Sequence, residues 1–225
     1  MPHAFEMPGD YVARTVAREG RPHSVTRLDG PHTALLVVDM QRYFMEAPFA
    51  GACPMAREIV PNVNRLATEL RAAGGFVVWL QNAAPRQSEK SWSALRERYS
   101  DAAASARWGA LQQDADGFEL WPDLDVGPRD GRVVKDRYSA FIAGSSSLDP
   151  LLREREIDSL LIAGVATNVC CESTARDAMM LNYRVLMMSD ACAAASDREH
   201  EAALGNFYLF FGDVQTTDEV IGRIR

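Results

Sequence analysis

Five stretches of the chain carry one pattern of hydrophobic positions, a short unbroken apolar run closed by a polar or charged residue. They are "TALLVVDM" (33–40), "GFVVWLQ" (75–81), "GRVVKD" (131–136), "DSLLIAGV" (158–165) and "YRVLMMSD" (183–190). A strand with one wet face alternates apolar and polar residues; a run with no alternation fits a parallel strand buried on both faces. Between the runs lie segments with helical spacing, "PNVNRLATELRAAG" (61–74), "SLDPLLREREI" (147–157), "TNVCCESTARDAMMLN" (167–182) and "DREHEAALGNFYLFF" (197–211). Strand and helix therefore alternate, and the prediction is an α/β domain whose parallel sheet carries helices on both faces.

Two segments fall outside this rhythm. Residues 1–31, with Pro2, Pro8, Pro22 and Pro31 among polar neighbours, show no sustained period and are read as an N-terminal arm laid over the body or a neighbouring subunit; residues 32–225 form the domain. Residues 82–130 hold Trp92, Trp108 and Trp121 among charged residues with only short apolar runs, and read as a lid-like excursion inserted over the site.

Composition narrows the class of partner. In 225 residues the formal net charge is −7, and the 24 Lys and Arg are scattered, so nothing marks a nucleic-acid or anionic-membrane surface. There is no leader-like opening and no apolar stretch approaching the ~20 residues of a bilayer span, so a cytoplasmic protein with a small-molecule substrate is expected. Cys53, Cys170, Cys171 and Cys192 have neither zinc-ribbon spacing nor a disulfide framework and read as reduced thiols, and no H-x-H, D-x-H or HExxH pattern supplies a metal site.

In a doubly wound sheet ligands sit at the carboxyl ends of the strands, which directs attention to what ends each run. Asp39 closes the first, where an acid must be solvated, paired or used, and on position alone it is a cap or a functional carboxylate. Lys135 closes the third; alone it is a surface lysine, but with Asp39 at the same sheet edge it forms a candidate ion pair. Cys170 falls in the first turn of the helix after the fourth run, where free N–H groups and the helix dipole favour a thiolate, while Cys171, about 100° further round, faces the core. No histidine is near these ends in sequence, and His200 in "DREHEAAL" reads as a solvated or capping residue, leaving Asp39 as the better base.

The segments "ALLVVDMQRYF" (34–44), "VVKDRYSAF" (133–141), "GVATNVCCESTARDA" (164–178) and "SDACAA" (189–194), in that order, resemble the isochorismatase-like cysteine hydrolases. The resemblance implies a single-domain, doubly wound six-stranded parallel sheet of order 3-2-1-4-5-6 and a triad of Asp39, Lys135 and Cys170. It also implies a cis bond between Val165 and Ala166, an oxyanion hole from the N–H groups of Ala166 and Cys170, no cofactor or metal, and a homo-oligomer, dimer or tetramer. The implied chemistry is hydrolysis of a C–N bond through a thioester acyl-enzyme.

"RYSAF" with "GVATNVCCESTARD" is most similar to members that cleave ureido or carbamoyl compounds, such as ureidoacrylate hydrolases. The Asp-x-His metal site of nicotinamidases is missing after "DMQRYF". For recognition, Phe44, Tyr138 and Phe141 are candidates to pack on a flat substrate, and Asn82, Arg86 or Arg137 to pair with a carboxylate, with core packing an equal reading for the aromatics. Three other functions stay open: an isochorismatase that breaks a vinyl ether without a thiol nucleophile, a streptothricin-type lactam hydrolase, and a non-catalytic binding module on the same fold.

Overall fold

The computed structural model describes residues 3–225. Its six strands, β1 (Thr33–Val38), β2 (Phe76–Asn82), β3 (Gly131–Lys135), β4 (Ser159–Val165), β5 (Arg184–Ala193) and β6 (Asp213–Gln215), form one parallel sheet in the order β3-β2-β1-β4-β5-β6. The helices, in chain order, are α1 (Gly9–Glu19), α2 (Arg42–Met45), α3 (Val60–Ala72), α4 (Ser88–Ser91), α5 (Ser93–Arg96), α6 (Asp101–Ala110), α7 (Leu148–Glu154), α8 (Glu172–Met180), α9 (Asp197–Phe210) and α10 (Thr217–Ile221). Among the described residues no helix is long and apolar enough to cross a membrane.

The unbroken apolar runs are explained by burial on both faces. Every residue of β1 and β4 is buried. Leu35, Val37, Leu161, Ala163, Val77 and Trp79 point to one side and join Val63, Leu66 and Leu70 of α3. Their alternates Leu36, Val38, Leu160, Ile162, Val78 and Leu80 point to the other, against Leu152 of α7, Ala175 of α8 and Leu204 and Phe207 of α9. One strand thus feeds two cores, and polar residues are confined to its first position, where Thr33 and Ser159 bond to Asp29 and Asp158.

Two elements depart from the sequence expectation. The N-terminal arm contains the helix α1, started behind Pro8 and stopped at Gly20, whose φ of 74° lets its N–H reach the Val16 carbonyl. Phe5, Met7 and Tyr11 pack on the core under α9 within the same chain, a stripe too sparse to register as a period. The strand β6 is three residues long and has no apolar run; its place is fixed by Asp213, whose carboxylate accepts from the Val25 N–H at 3.0 Å and contacts His23 Nδ1 at 2.9 Å.

Residues 82–130 are not structureless: α4, α5 and α6 build a small core of their own from Leu95, Ala104, Trp108 and Leu111 against Tyr43. Trp121 lies elsewhere, packed on the α3 side with Arg57 over its ring.

Glycine is demanded at one point beside the sheet edge. Gly164 in β4 has φ of 116°, and a Cβ there would sit 2.2 Å from the Val38 carbonyl oxygen, next to Asp39. Gly164→Ala is therefore expected to cost about 2–3 kcal/mol, read as a lowered urea midpoint with an unchanged m-value; an unchanged midpoint would show that β1 and β4 can separate freely.

Candidate active site

The order β3-β2-β1-β4 makes the crevice between the ends of β1 and β4 the point where the chain's winding reverses, and residues following these strands converge there. Asp39 follows β1 directly and takes a positive φ of 51°, a conformation that aspartate tolerates better than most residues. Its N–H is held by the Leu80 carbonyl at 2.9 Å, and its own carbonyl accepts from Gln41 N–H at 2.8 Å. The Gln41 side chain is buried and spans the end of β2: Nε2 donates to the carbonyls of Asn82 (3.1 Å) and Phe118 (2.9 Å), and Oε1 accepts from Asn82 N–H (2.7 Å). Asp39 is thereby clamped from both sides.

Lys135 ends β3, two strands away and so roughly 10 Å across the sheet. Its stem crosses the end of β2, and Nζ donates to Asp39 Oδ2 at 2.8 Å and to the Arg137 carbonyl at 3.0 Å, with both charged side chains wholly buried. Burial acts to lower the Lys135 pKa, but the Asp39 carboxylate, followed by Cys170, outweighs it and keeps the ammonium above its ordinary value. Burial raises the pKa of Asp39 above the ordinary carboxylate range, with Lys135 opposing. The second carboxylate oxygen, Oδ1, is buried and accepts no hydrogen bond, an expensive state for a charged oxygen. The Cys170 thiol lies close enough to this carboxyl to favour its ionised form, against the effect of burial.

Cys170 reaches the crevice from β4 through a cis peptide at Val165–Ala166 and a wide helical turn of π type over Thr167–Cys171. The Ala166 carbonyl closes that turn, accepting from the N–H groups of Val169 (3.0 Å) and Cys171 (3.2 Å). Position in a first helical turn predicts a stabilised thiolate, and here the structure corrects the sequence. Burial, then the Asp39 charge, pushes the Cys170 pKa up to about 12, against the opposing pull of Lys135 and Arg107. At neutral pH Cys170 therefore rests as the thiol, and a proton must move before sulfur can attack. Cys171 is fully buried beside Cys192, as its place on the helix predicts.

His200 is neither solvated nor a cap. It is fully buried, Nε2 lies 3.0 Å from the Ser189 carbonyl, and Nδ1 lies 2.9 Å from Thr167 Oγ1 at the start of the turn that carries Cys170. A carbonyl can only accept, so the proton is on Nε2 and Nδ1 accepts from Thr167. Burial and the neighbouring His3, stacked at 4.3 Å, hold its pKa down at about 4, so it is a neutral strut and its ring nitrogens are both engaged away from sulfur.

The expected recognition residues scatter. Asn82 is buried and its amide donates to the Arg137 carbonyl at 3.4 Å, which removes it as a carboxylate partner and makes it a support for Lys135. Arg86 lines a groove on the far side of the excursion with Glu89, Ser105 and Gln112. Arg137 pairs with Asp136, donates to Ser91 and stacks over Trp92. Phe44 is partly buried between the α3-side core and the core of the excursion, and Phe141 packs on Tyr183. Tyr138 does line a cavity of about 480 Å³ with Leu95, Tyr99, Asn168, Val169 and Ser173, along the turn that carries Cys170. Two buried residues that sequence reasoning passed over, Gln41 and Arg107, belong to this region; Gln41 had a signal, as a polar residue two places after a strand-ending acid.

Residues 33–219 match the isochorismatase domain. The chain is 31% identical over 198 residues to the uncharacterized isochorismatase family protein YwoC of Bacillus subtilis (strain 168), covering 88% of this chain and 97% of that one. Among solved structures it is similar to a cysteine hydrolase from Pseudomonas syringae pv. phaseolicola 1448A (TM-score 0.77, 29% identity, 88% and 96% of the two chains). It is also similar to the N-carbamoylsarcosine amidase of Thermoplasma acidophilum (TM-score 0.64, 27% identity, 83% and 96%). With the domain matched from the first residue of β1 into α10, and with hydrolases and amidases among its structural neighbours, the chain belongs to the isochorismatase family.

Proposed function

We propose that this chain is a cysteine-dependent hydrolase that cleaves the C–N bond of a small amide or of a ureido or carbamoyl compound. The observation that carries this reading is the free oxygen Oδ1 of a buried carboxylate, fixed through its other oxygen by Lys135 and adjoining the Cys170 thiol. That is the geometry a base needs to take a proton from a nucleophile in a site closed to water.

In the proposed cycle Asp39 takes the thiol proton as Cys170 Sγ forms a bond to the substrate carbonyl carbon. The oxyanion is received by the N–H groups of Ala166 and Cys170. Collapse breaks the C–N bond, the Asp39 proton goes to the departing nitrogen, and ammonia or a small amine leaves a thioester. Water, deprotonated by Asp39, then adds to the thioester, and the proton returns to sulfur as the acid departs. Lys135 holds Asp39 in place and lowers the cost of charge on sulfur.

A second reading has one observation in its favour. An aspartate whose pKa is raised by burial is also a suitable acid for protonating a vinyl ether, which needs no thiol. The test is ammonia release from ureides, carbamoyl amino acids and primary amides, with ring opening of lactams followed by mass and pyruvate from isochorismate measured alongside, for the native chain and Cys170→Ala. Ammonia release lost in the variant supports the amidase reading; pyruvate release undiminished in it overturns that reading.

The mechanism sets a pH profile. Asp39 must be ionised to accept the proton, and its raised pKa moves the acid limb of kcat/KM to higher pH than an ordinary carboxylate gives, so activity is lost earlier as pH falls. Because proton transfer is internal, no second rise is expected between about pH 7 and 9, where a free thiol would ionise. A tenfold climb per pH unit in that window would mean that solvent, and not Asp39, activates the thiol.

A further inference from the structure

Arg107 is a buried cation without a counter-charge. It sits on α6 at 8% exposure, its Nε is buried with no hydrogen-bond partner, and no carboxylate of the described residues pairs with it. Other arginines have carboxylate partners: Arg96 with Asp101 and Glu89, Arg137 with Asp136, Arg176 with Glu172. A guanidinium cannot shed its charge to escape this position. What surrounds it is aromatic: its central carbon lies 5.7 Å from the Tyr43 ring centre, 5.8 Å from that of Tyr99 and 6.0 Å from that of Trp108. Ring faces stabilise the charge and the Tyr43 hydroxyl adds to it, while Nε is left without an acceptor.

The location gives this vacancy of acceptors a meaning. Tyr99, one wall of the arginine's box, is also a wall of the cavity lined by Asn168 and Val169, the two residues that precede Cys170 in its turn. Arg98, at the rim of the same cavity, is exposed and forms no ion pair either, so the cavity mouth is cationic on a chain of net charge −7. The charge on Arg107 acts to lower the pKa of Asp39, Cys170 and Tyr138, which puts it within electrostatic reach of the site.

Resting on the amidase reading above, we propose that Arg107 binds a carboxylate of the substrate, so that the compound hydrolysed at Cys170 is an anionic amide or ureide. The two planar forks pair through parallel N–H···O bonds, including the unpartnered Nε, and the aromatic walls of Tyr43 and Tyr99 exclude water from the pair. A neutral analogue of the same shape leaves the buried cation unpaired and is rejected.

The test compares kcat/KM for matched pairs that share the scissile group, N-carbamoyl-β-alanine against propylurea and succinamate against butyramide. The native chain is expected to favour the anion of at least one pair by roughly 100-fold or more. In Arg107→Met the preference falls below about tenfold, chiefly through KM, with Arg107→Lys between the two. Because Arg107→Met removes a buried unpaired charge, its Tm is expected to hold or rise; a structural role alone would lower Tm and slow both members of a pair equally. Equal use of anionic and neutral members by the native chain overturns the proposal and leaves the hydrolase reading standing. Succinate binding gives a readout that needs no turnover: it should raise the Tm of Cys170→Ala, and not that of Cys170→Ala with Arg107→Met. That shift without hydrolysis of any amide would sink the amidase reading and keep the anion site; its absence overturns the anion site.

Discussion

Cys170→Ala is expected to lower kcat by at least about 10⁴-fold, the order seen when the nucleophile of a covalent mechanism is removed. The loss should come with little change in fold, because the side chain removed is small and lies on the turn after β4 rather than within the sheet. Cys170→Ser is the sharper variant. Its hydroxyl keeps a proton donor beside the Asp39 carboxyl but is a far weaker nucleophile, so it should be equally inactive. Cys171→Ala is the control: Cys171 faces the core beside Cys192, and its loss should leave turnover intact while costing some stability. Ammonia release by the three variants checks the whole prediction, and an active Cys170→Ala would remove sulfur from the chemistry.

The second large effect concerns the ion pair. Lys135→Met leaves the Asp39 carboxylate buried with no counter-charge, and Asp39→Asn leaves the Lys135 ammonium in the same state; each should cost about 3–5 kcal/mol by urea unfolding. Each should also lower kcat by about 10³-fold or more, the first because an unpaired Asp39 takes up a proton and stops being a base, the second because the base is gone. The double variant separates the two roles. With both charges removed, much of the stability should return, so the cycle has a large coupling energy, while activity stays lost. Restored activity in the double variant would mean that the pair serves the fold alone.

How much of this was legible in the sequence follows from which residues depend on local pattern. The strands of the sheet centre were legible because burial on both faces leaves an unbroken apolar run, and the same runs mark their own ends, so Asp39, Lys135 and the turn carrying Cys170 could be placed at one edge. The sixth strand came only through the resemblance, since Asp213–Gln215 has Val214 as its one apolar residue and is held beside it by side-chain bonds to the N-terminal segment. Helix α1 was missed because its contacts with α9 come from a few scattered residues. His200 was misread although a signal existed: Ala203, Leu204 and Phe207 follow at the spacing of one helical face, and all four are buried.

The choice of recognition residues failed for a deeper reason. In "DAAASARWGA" the alanines give no clean stripe, so the pattern does not say which way Arg107 turns once α6 folds over the sheet edge. Arg86 and Arg137 were equally good choices by composition, and only the tertiary arrangement shows that Arg86 lines an outer groove and Arg137 is already paired. The charge state of Cys170 was misjudged on the same footing: a helix dipole can be read from sequence, whereas the burial that opposes it belongs to the assembled site.

The most direct test of the central claim is the mass of the chain quenched in acid during turnover of whichever amide or ureide releases ammonia fastest, with fragmentation of the peptide Glu156–Arg176 to separate Cys170 from Cys171. The acyl mass of the substrate is expected on Cys170 and not on Cys171, with the adduct absent in Cys170→Ala. An unmodified Cys170 at steady state, together with undiminished product formation in Cys170→Ala, would contradict it.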